Sequence, residues 1–377
     1  MEEPAHELII SPYMGRHIMV RPGRKEGVTM PAFRYREISA APDDAPCPHW
    51  LVDAARQAWG IELDGRPIAP SVLVRADSGL GYGRASWEFN LGCNYDCEHC
   101  YLGIKDFVGL ELADRLRLLD VLRDAGVLWL QITGGEPMVD RLFTETYEAA
   151  FDQGMMLTIL SNGSRLFLPR ILELLTGRPP DRITLSVYGA TEASYDGLTR
   201  RKGAYRLFMK GLNAAHEAGL PLALSMIVTR HNAHEVPQMR ALAERIGASM
   251  DEYTNMVPTI YGGDETLPTQ SASHLRKRRP FTGCNAGHTF FHVNPFGQAS
   301  ICKVGRDPNI DLLTEGVEGL RGLGTIADSL LLRQGGCTGC SLQGTCGTCM
   351  PLVQLYRKAK APLATYCQHR EKERTPE

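Results

Sequence analysis

The sequence predicts an α/β protein whose central part is a partial (β/α)6 barrel. Between residues 83 and 275, six apolar strand-like runs alternate with stretches of helical periodicity. Such alternation is typical of a parallel sheet covered by helices. Six units are too few to close an eight-stranded barrel, so an open or partial barrel is expected. After residue 276 the alternation stops, and glycine and cysteine become frequent.

The first 82 residues are rich in proline, arginine and glycine and contain only short apolar runs. They predict a small N-terminal α+β module with a helix at 50–59. Its predicted strands are 18–21, 33–38 and 71–75.

The barrel strands are predicted from apolar runs that are followed by helical patterns or by turn residues. They are 87–91, 128–133, 155–161, 182–188, 222–229 and 253–258. In parallel sheets of this kind the chemistry lies at the carboxyl ends of the strands. Motifs that directly follow a strand are therefore the candidates for function.

The C-terminal part, residues 276–377, lacks long hydrophobic patterns. A segment of this composition is expected to bury little core, so a bound group must hold it together. The basic run 276–279 at its start is interpreted as a solvated linker, with an anionic partner site as the alternative.

Composition excludes several classes of protein. The 377 residues carry 41 Lys and Arg against 43 Asp and Glu, a formal charge of −2, which argues against a nucleic-acid partner. No apolar run approaches the roughly 20 residues of a membrane span, and the acidic start lacks a secretory signal, so a cytoplasmic protein is expected. In a reducing compartment, eleven cysteines are more consistent with metal ligands than with disulfides.

Three of these cysteines directly follow the first barrel strand. Cys93, Cys97 and Cys100 form a C-x3-C-x2-C loop. Three thiolates on a four-iron cluster leave one iron open for another ligand. Zinc normally takes four ligands, and no partner pair lies nearby in sequence. A zinc site or a disulfide loop remains the alternative.

This loop resembles the radical SAM superfamily, and Gly134, Gly135, Glu136 and Pro137 after the second strand strengthen the resemblance. In that family the stretch binds the methionyl ammonium of S-adenosylmethionine (SAM). Glycines permit close backbone approach, and a Glu carboxylate or strand-end carbonyls can accept from an ammonium. The resemblance covers about residues 83–260.

The resemblance implies further contacts to SAM at the ends of the following strands. For two of these positions there is an alternative interpretation: Val228 belongs to the hydrophobic core, and His99 is an ordinary exposed histidine. Either Arg200 or Arg201 is expected to pair with the SAM carboxylate, with a surface role as the alternative. The implied contacts are His99, Ser161, Asn162, Ser186, Arg200 and Val228.

The resemblance also implies the chemistry. A reduced [4Fe-4S] cluster passes an electron into SAM and yields a 5'-deoxyadenosyl radical, which takes hydrogen from an unactivated carbon. The protein would be an oxidoreductase that receives its electron from a flavodoxin- or ferredoxin-type donor.

Seven more cysteines follow in an order that resembles the SPASM domain, which holds two auxiliary iron–sulfur clusters. By that order Cys284, Cys302 and Cys349 would hold one cluster, and the second would be held by Cys337, Cys340, Cys346 and Cys367. The spacing between Cys346 and Cys349 is one residue shorter than usual in that family. A zinc ribbon built from two C-x2-C pairs remains the alternative.

The first auxiliary set has three cysteines. Its cluster either has an open iron or uses His288, His292 or Cys47. A lone histidine is more often a hydrogen-bonded structural residue, and Cys47 is interpreted as an inert thiol.

The resemblance implies a maturase that crosslinks a ribosomally made precursor peptide. The alternatives are a small-molecule dehydrogenase, a sulfatase maturase and, outside the enzymes, an iron–sulfur electron carrier or a zinc-binding protein. Residues 1–82 either dock a peptide leader or cap the barrel.

Lys303, directly after Cys302, bears on the choice between peptide crosslinking and sulfatase maturation. Sulfatase maturases typically place an Asp there as a general base. A lysine normally keeps its proton near neutral pH and acts as a base only if burial lowers its pKa. Lys303 is otherwise expected to attract a substrate carboxylate or to lie on the surface.

Overall fold

A computed structural model describes residues 6–276, 281–346 and 348–367 of the chain. Most of the basic run 276–279 therefore lies outside the described residues. The described chain forms two sheets with their helices. None of the described helices combines the length and apolar character that a membrane span requires.

The N-terminal module is a four-stranded sheet in the order β3-β2-β1-β4, in which β1 and β4 are parallel and the other pairs antiparallel. Its core contains Leu8, Met19, Tyr35 and Leu51. The strands are β1 (Leu8–Tyr13), β2 (Arg16–Val20), β3 (Gly27–Met30) and β4 (Val72–Val74). The helices are α1 (Ala32–Ala40), α2 (His49–Trp59) and the short α3 (Ile68–Ser71).

The predicted strand at 33–38 is wrong, because these residues form α1. Pro31 precedes the helix and suits an N-terminal boundary. Tyr35 and Ile38 are buried and three residues apart, so they share one helix face.

The barrel consists of six strands, and every neighbouring pair is parallel. The strands are β5 (Arg84–Glu88), β6 (Trp129–Thr133), β7 (Met156–Ser161), β8 (Arg182–Val187), β9 (Leu222–Ile227) and β10 (Ser249–Tyr253). The helices are α4 (Leu112–Asp124), α5 (Phe143–Asp152), α6 (Pro169–Gly177), α7 (Glu192–Thr199), α8 (Ala204–Glu217) and α9 (Val236–Arg245). The predicted partial (β/α)6 barrel is confirmed.

The sixth strand lies earlier than predicted. The sequence analysis placed it at 253–258, but β10 ends at Tyr253. Its residues Ser-Met-Asp-Glu-Tyr alternate between exposed and half-buried, as expected at the edge of a sheet. An edge strand needs no continuous apolar run, so the hydrophobic pattern gave no signal there.

Three short strands of the C-terminal part extend the barrel sheet. β11 pairs in parallel with β5, and the following strands add to it antiparallel, which gives a sheet of nine strands. The elements are β11 (Phe290–Val293), β12 (Gln298–Ser300), β13 (Ile310–Asp311), α10 (Leu312–Gly319), α11 (Leu323–Ser329) and α12 (Met350–Lys358). Phe291, Val293 and Ile301 are fully buried, so this segment contributes more core than its composition predicted.

Candidate active site

The first cysteine loop lies at the carboxyl end of β5 and is held by backbone hydrogen bonds. The N–H groups of Asp96 and Glu98 donate to the carbonyls of Thr199 and Leu198 at the end of α7. Tyr95 and Leu102 are buried within and beside the loop. The positions of Cys93, Cys97 and Cys100 are therefore set by packing against the barrel.

The three thiols of this loop influence one another electrostatically. Burial, followed by the nearby Glu136, raises the pKa of Cys93 to about 12. Burial raises the pKa of Cys97 well above its usual value, and Cys93 and Cys100 raise it further. Cationic metal centres deprotonate such thiols on binding.

The donor set of this loop fits an iron–sulfur cluster. The Tyr95 N–H donates to the Cys93 sulfur over 3.4 Å, a bond of the kind that tunes cluster sulfurs. Within the described residues, no three His, Cys, Asp or Glu side chains are arranged around a single metal ion. A cluster spreads its ligands over several irons, so its thiolates need not meet at one point.

Gly134 and Gly135 follow β6 and lie against the residues that lead into the cysteine loop. The Gly135 N–H donates to the Asn90 carbonyl, and the Glu136 N–H donates to the Gly92 carbonyl. A Cβ at Gly135 would stand 2.0 Å from the Gly92 oxygen, and Gly134 has φ +134°, a conformation that L side chains rarely adopt. Both glycines are thus required by backbone packing.

The Glu136 carboxylate is fully buried and accepts three hydrogen bonds. The donors are the Met138 N–H at 3.1 Å, the Ser161 hydroxyl at 2.9 Å and the Asn162 N–H at 2.7 Å. Burial raises the pKa of Glu136 to about 7 even though these bonds oppose it. Its Pro137 neighbour begins a short 3₁₀ turn and is buried.

Asn162 connects this carboxylate to the cysteine loop. Its Nδ2 donates to Asn94 Oδ1 over 2.9 Å and lies 3.9 Å from the Cys93 sulfur. Asn94 in turn donates to the Ser164 hydroxyl. The structure therefore brings together the predicted site residues of three consecutive strand ends: Cys93, Glu136, Ser161 and Asn162.

His99 is half-buried, which differs from the expectation of an exposed histidine. Its ring centroid lies 5.0 Å from that of Tyr188, and burial lowers its pKa to about 4. Nδ1 of His99 has no hydrogen-bond partner among the described residues. Ser186 is half-buried in β8, and Val228 is buried just after β9.

Arg200 lies at the end of α7 and has φ +50°. Its guanidinium is 42% exposed and pairs with Asp264 at 3.2 Å and Asp96 at 3.8 Å. Arg201 is also exposed. Two protein carboxylates thus already flank Arg200, and its predicted SAM contact requires it to leave them.

A second group of cysteines lies beside β12. Burial raises the pKa of Cys302, and the nearby Cys284 raises it further. The N–H groups of Gly305 and Ala286 donate to the sulfurs of Cys302 and Cys284 at 3.2 and 3.4 Å. These two thiols therefore form a second candidate metal site.

Lys303 is half-buried and lines a cavity, so it is not an exposed surface residue. Its Nζ donates to Gln131 Oε1 on β6 over 2.9 Å. Burial lowers the pKa of Lys303 to about 8, and Arg306 lowers it further while Glu88 opposes the change. The structure thus provides the burial that a lysine base requires.

The sequence analysis missed a buried network between the two cysteine groups. Glu88 at the end of β5 receives two hydrogen bonds from Arg306, at 2.7 and 2.9 Å, and His292 Nε2 lies 3.5 Å away. Burial would raise the pKa of Glu88, but Arg306 and His292 outweigh it and lower the pKa to about 2. Tyr101, beside Cys100, donates to the same carboxylate. No local pattern could reveal a pair of residues so far apart in sequence.

The remaining C-terminal cysteines lie on turns and at helix ends. The Leu342 N–H donates to the Cys340 sulfur at 3.4 Å, and Arg357 donates to the Cys337 sulfur at 3.5 Å. Cys349 is the residue before α12. The other two, Cys346 and Cys367, donate their N–H groups to the carbonyls of Leu342 and Leu363.

The proposed extra ligands of the first auxiliary site have other contacts. His288 Nε2 lies 3.0 Å from Asp328, and His292 Nδ1 lies 2.8 Å from the Ser86 hydroxyl. Cys47 is buried in the N-terminal core, where its sulfur lies 3.7 Å from the Pro67 carbonyl. These contacts favour structural roles for all three residues.

Comparison with known proteins adds to this geometry. Residues 87–243 match the Radical SAM superfamily. The chain is 29% identical over 177 residues to the AdoMet-dependent heme synthase of Nitratidesulfovibrio vulgaris, covering 46% of this chain and 48% of that protein. It is 28% identical over 240 residues to the mycofactocin maturase MftC of Mycobacterium ulcerans, covering 59% and 63%. The chain thus spans about half the length of the curated relatives it matches.

Among solved structures, the fold is similar to that of Streptococcus suis SuiB bound to S-adenosylmethionine. The TM-score is 0.59 at 13% sequence identity, and the alignment covers 94% of this chain and 96% of that one. At this identity the likeness shows the shared fold.

Proposed function

We propose that this chain, whose residues 87–243 match the Radical SAM superfamily, abstracts hydrogen from a ribosomally made peptide and forms a crosslink in it. One observation carries the proposal. The loop with Cys93, Cys97 and Cys100 lies at the carboxyl ends of parallel strands, beside the buried Glu136 and Asn162. This is where parallel α/β sheets place their chemistry.

The residues of this edge fit the cofactors of the superfamily. Cys93, Cys97 and Cys100 would hold a [4Fe-4S] cluster, and Glu136 with the adjoining backbone would bind the SAM ammonium. When bound, the reduced cluster and SAM supply the one-electron chemistry that removes hydrogen from an unactivated carbon. The chain fixes the thiols, provides the carboxylate and keeps the site away from bulk water.

The SPASM-type resemblance extends the proposal to two auxiliary iron–sulfur clusters. Cys284 and Cys302 would hold one cluster together with Cys349, and the nearby Cys284 raises the pKa of Cys302. The other would be held by Cys337, Cys340, Cys346 and Cys367. The N–H···S bonds at Cys284, Cys302 and Cys340 support thiolates at these positions.

The N-terminal module is proposed to dock the leader of the precursor peptide. β3 is the outer strand of its sheet, and an outer strand can accept an extended peptide as one more strand. A module that only caps the barrel remains the alternative.

In the cytoplasm, a flavodoxin- or ferredoxin-type protein would supply the electron. The proposed boundaries are 1–82, 83–275 and 276–377.

The peptide-modifying function is favoured by one named relative, MftC, and by the position of Lys303. The sulfatase-maturase alternative places an Asp where this chain has Lys303. A lysine beside Cys302 carries a positive charge near neutral pH, so it is better suited to bind an anionic substrate group than to act as the general base that an Asp provides.

The experiment is anaerobic incubation of the iron-loaded protein with SAM, dithionite and the peptide encoded nearest its gene. We expect 5'-deoxyadenosine, and a peptide that has lost about two hydrogens within residues that no longer fragment apart. Replacing Cys93, Cys97 and Cys100 with Ala should abolish 5'-deoxyadenosine and leave iron in the C-terminal part. Formylglycine on a sulfatase peptide, with the neighbouring peptide untouched, would show the alternative function instead.

A further inference from the structure

A cavity of about 840 Å³ lies inside the barrel on the amino-terminal side of the strands. Its walls come from β5, β6, β7 and β8 and from β11, which closes one side. Cys302 and Lys303 line it as well, so the second cysteine site borders the same space. Lys25, in the loop between β2 and β3, places the N-terminal module at the cavity.

The charges on the cavity wall are mostly positive. Four basic side chains contribute to the lining, against the single carboxylate of Asp181. The basic residues are Lys25, Arg84, Arg182 and Lys303. Glu88 is not part of this lining; it acts on Lys303 electrostatically, but its charge is largely balanced by its ion pair with Arg306. A wall of this charge favours an anionic ligand group.

Lys303 is half-buried at the cavity and has hydrogen-bonding capacity to spare. A lysine ammonium carries three donors, and Gln131 accepts one of them. In the described chain no other acceptor is bonded to this ammonium. Its remaining donors are therefore free for an anionic group that enters the cavity.

The other three basic residues of the lining differ in whether neighbouring side chains hold them in place. Arg84 is held by the Tyr13 hydroxyl at 3.1 Å and lies over the Trp129 ring. The side chains of Arg182 and Lys25 are exposed and form no hydrogen bond or ion pair with described residues, although both charges lower the pKa of Asp181 against the effect of its burial. Their side chains are therefore available to a ligand at the wall of the cavity, whereas Lys303 lies at the inner end of the cavity.

We infer that this cavity binds a carboxylate group of the peptide substrate, with Lys303 as the inner contact and Arg182 and Lys25 nearer the rim. The inference rests on the proposed function for the peptide nature of the ligand, and it adds the chemical group that the peptide must carry. Lys303 is then a positioning residue that orients the peptide relative to the two cysteine sites. The carboxylate comes from an acidic side chain or from the peptide's own C-terminus.

Equilibrium dialysis of the iron-loaded full chain against radiolabelled synthetic pentapeptides tests the site. The probes are Ac-Ala-Ala-Glu-Ala-Ala-amide, its Gln counterpart, and that Gln peptide with a free C-terminal carboxylate. We expect at least one carboxylate peptide to bind about tenfold more tightly than the neutral one, with the difference shrinking as salt is raised. The tighter of the two identifies the source of the carboxylate. Equal binding of all three peptides overturns the inference.

Variants locate the effect. Lys303→Met should abolish the preference for the carboxylate, and Arg182→Met should reduce it about threefold. Lys358→Met, an exposed lysine on α12, is the matched control and should change nothing. A preference that persists in Lys303→Met overturns the inference. If Lys303→Met loses iron or unfolds, Arg182→Met decides, and an unchanged preference there overturns it.

The outcome is separable from that of the proposed function. A preparation that forms 5'-deoxyadenosine and crosslinks peptide, yet shows no carboxylate preference, loses only the present inference. A preparation that shows the preference but never forms 5'-deoxyadenosine loses the proposed function and keeps the site.

Discussion

The cysteine loop at residues 93–100 and the cysteine-rich stretch at 333–367 offer similar ligands on very different supports. The first loop is tied to distant parts of the chain: its neighbours Tyr101 and Leu102 accept from the N–H groups of Ile260 and Tyr261. The second stretch is held mostly by local turns, such as Cys340 N–H to Cys337 and Cys346 N–H to Leu342.

The two regions also differ in buried apolar surface. Tyr95 and Leu102 of the first loop pack into the barrel. The described residues of 333–367 contribute Val353 and Tyr356 to the buried apolar side chains. Local turns with little core are marginally stable on their own. The comparison indicates that packing prepares the first site, whereas the second depends on what binds to it.

The largest effect is expected from a substitution that disrupts the packing of the first region. In Gly135→Ala the new Cβ would meet the Gly92 oxygen, so the loop must move. Displacement of a reacting group by about 1 Å costs about 100-fold in rate, and we expect at least that loss in 5'-deoxyadenosine formation. Gly177→Ala, where the Cβ would have no neighbour within 4 Å, is the matched control. Full activity in Gly135→Ala would mean that the loop adapts freely.

The next effect concerns the second region. Removing iron with a chelator should accelerate proteolysis within 333–367 by about tenfold or more, because local turns open without their ligand. The barrel should stay protected on the same time scale. Limited proteolysis with mass spectrometry measures both regions in one sample. Equal protection with and without iron would show that the second region, too, is prepared by packing.

A third test asks whether the ionisation of Glu136 in the first region controls SAM affinity. Because the pKa of Glu136 is about 7, the carboxyl is largely protonated below that pH and ionised above it. A bond to the SAM ammonium requires the ionised form, so SAM affinity should rise as pH increases through about 7. Glu136→Gln should bind SAM up to about tenfold more weakly and lose this pH dependence.

Calorimetric titration across this pH range makes that measurement. Ser161→Ala is the companion variant: it keeps the carboxylate but removes one donor that lowers the pKa of Glu136, so the rise in SAM affinity should persist and move to higher pH. A Gln variant with the wild-type pH profile would assign the titration to another group.

The smallest effect is expected at Cys47, the cysteine of the N-terminal module. Cys47→Ala should leave the iron content unchanged and lower the free energy of unfolding by about 1 kcal/mol, because a small buried side chain is lost. Iron analysis and denaturant titration give the two numbers. A loss of iron would instead make Cys47 a cluster ligand.

Much of the barrel was predictable because several of its strands are mostly buried and read as apolar runs. Runs such as those of β6 and β7 stand out in sequence, and their helices follow at regular spacing. β11 was not predictable, since a run of four residues in a glycine-rich segment resembles a loop. Its role in the sheet depends on pairing with β5, which lies some two hundred residues earlier.

The candidate site, too, has one part that could be predicted from the sequence and one part that could not. The motifs around Cys93 and Glu136 are local in sequence, and the structure places them side by side. The reason for the two glycines was not predictable, because their close neighbours are backbone atoms of another strand end. The pairing of Glu88 with Arg306 depends on tertiary structure alone.

The pairing of β11 with β5 constrains how this protein can be recombined with its relatives. β5 lies between β6 and β11, so both of its edges are occupied. A chimera joined near residue 276 with a poorly matched C-terminal part would leave one edge of β5 open, and open edges promote aggregation. When parts are exchanged between such enzymes, β5 and β11 should therefore be taken from the same protein, because the two strands pair with each other.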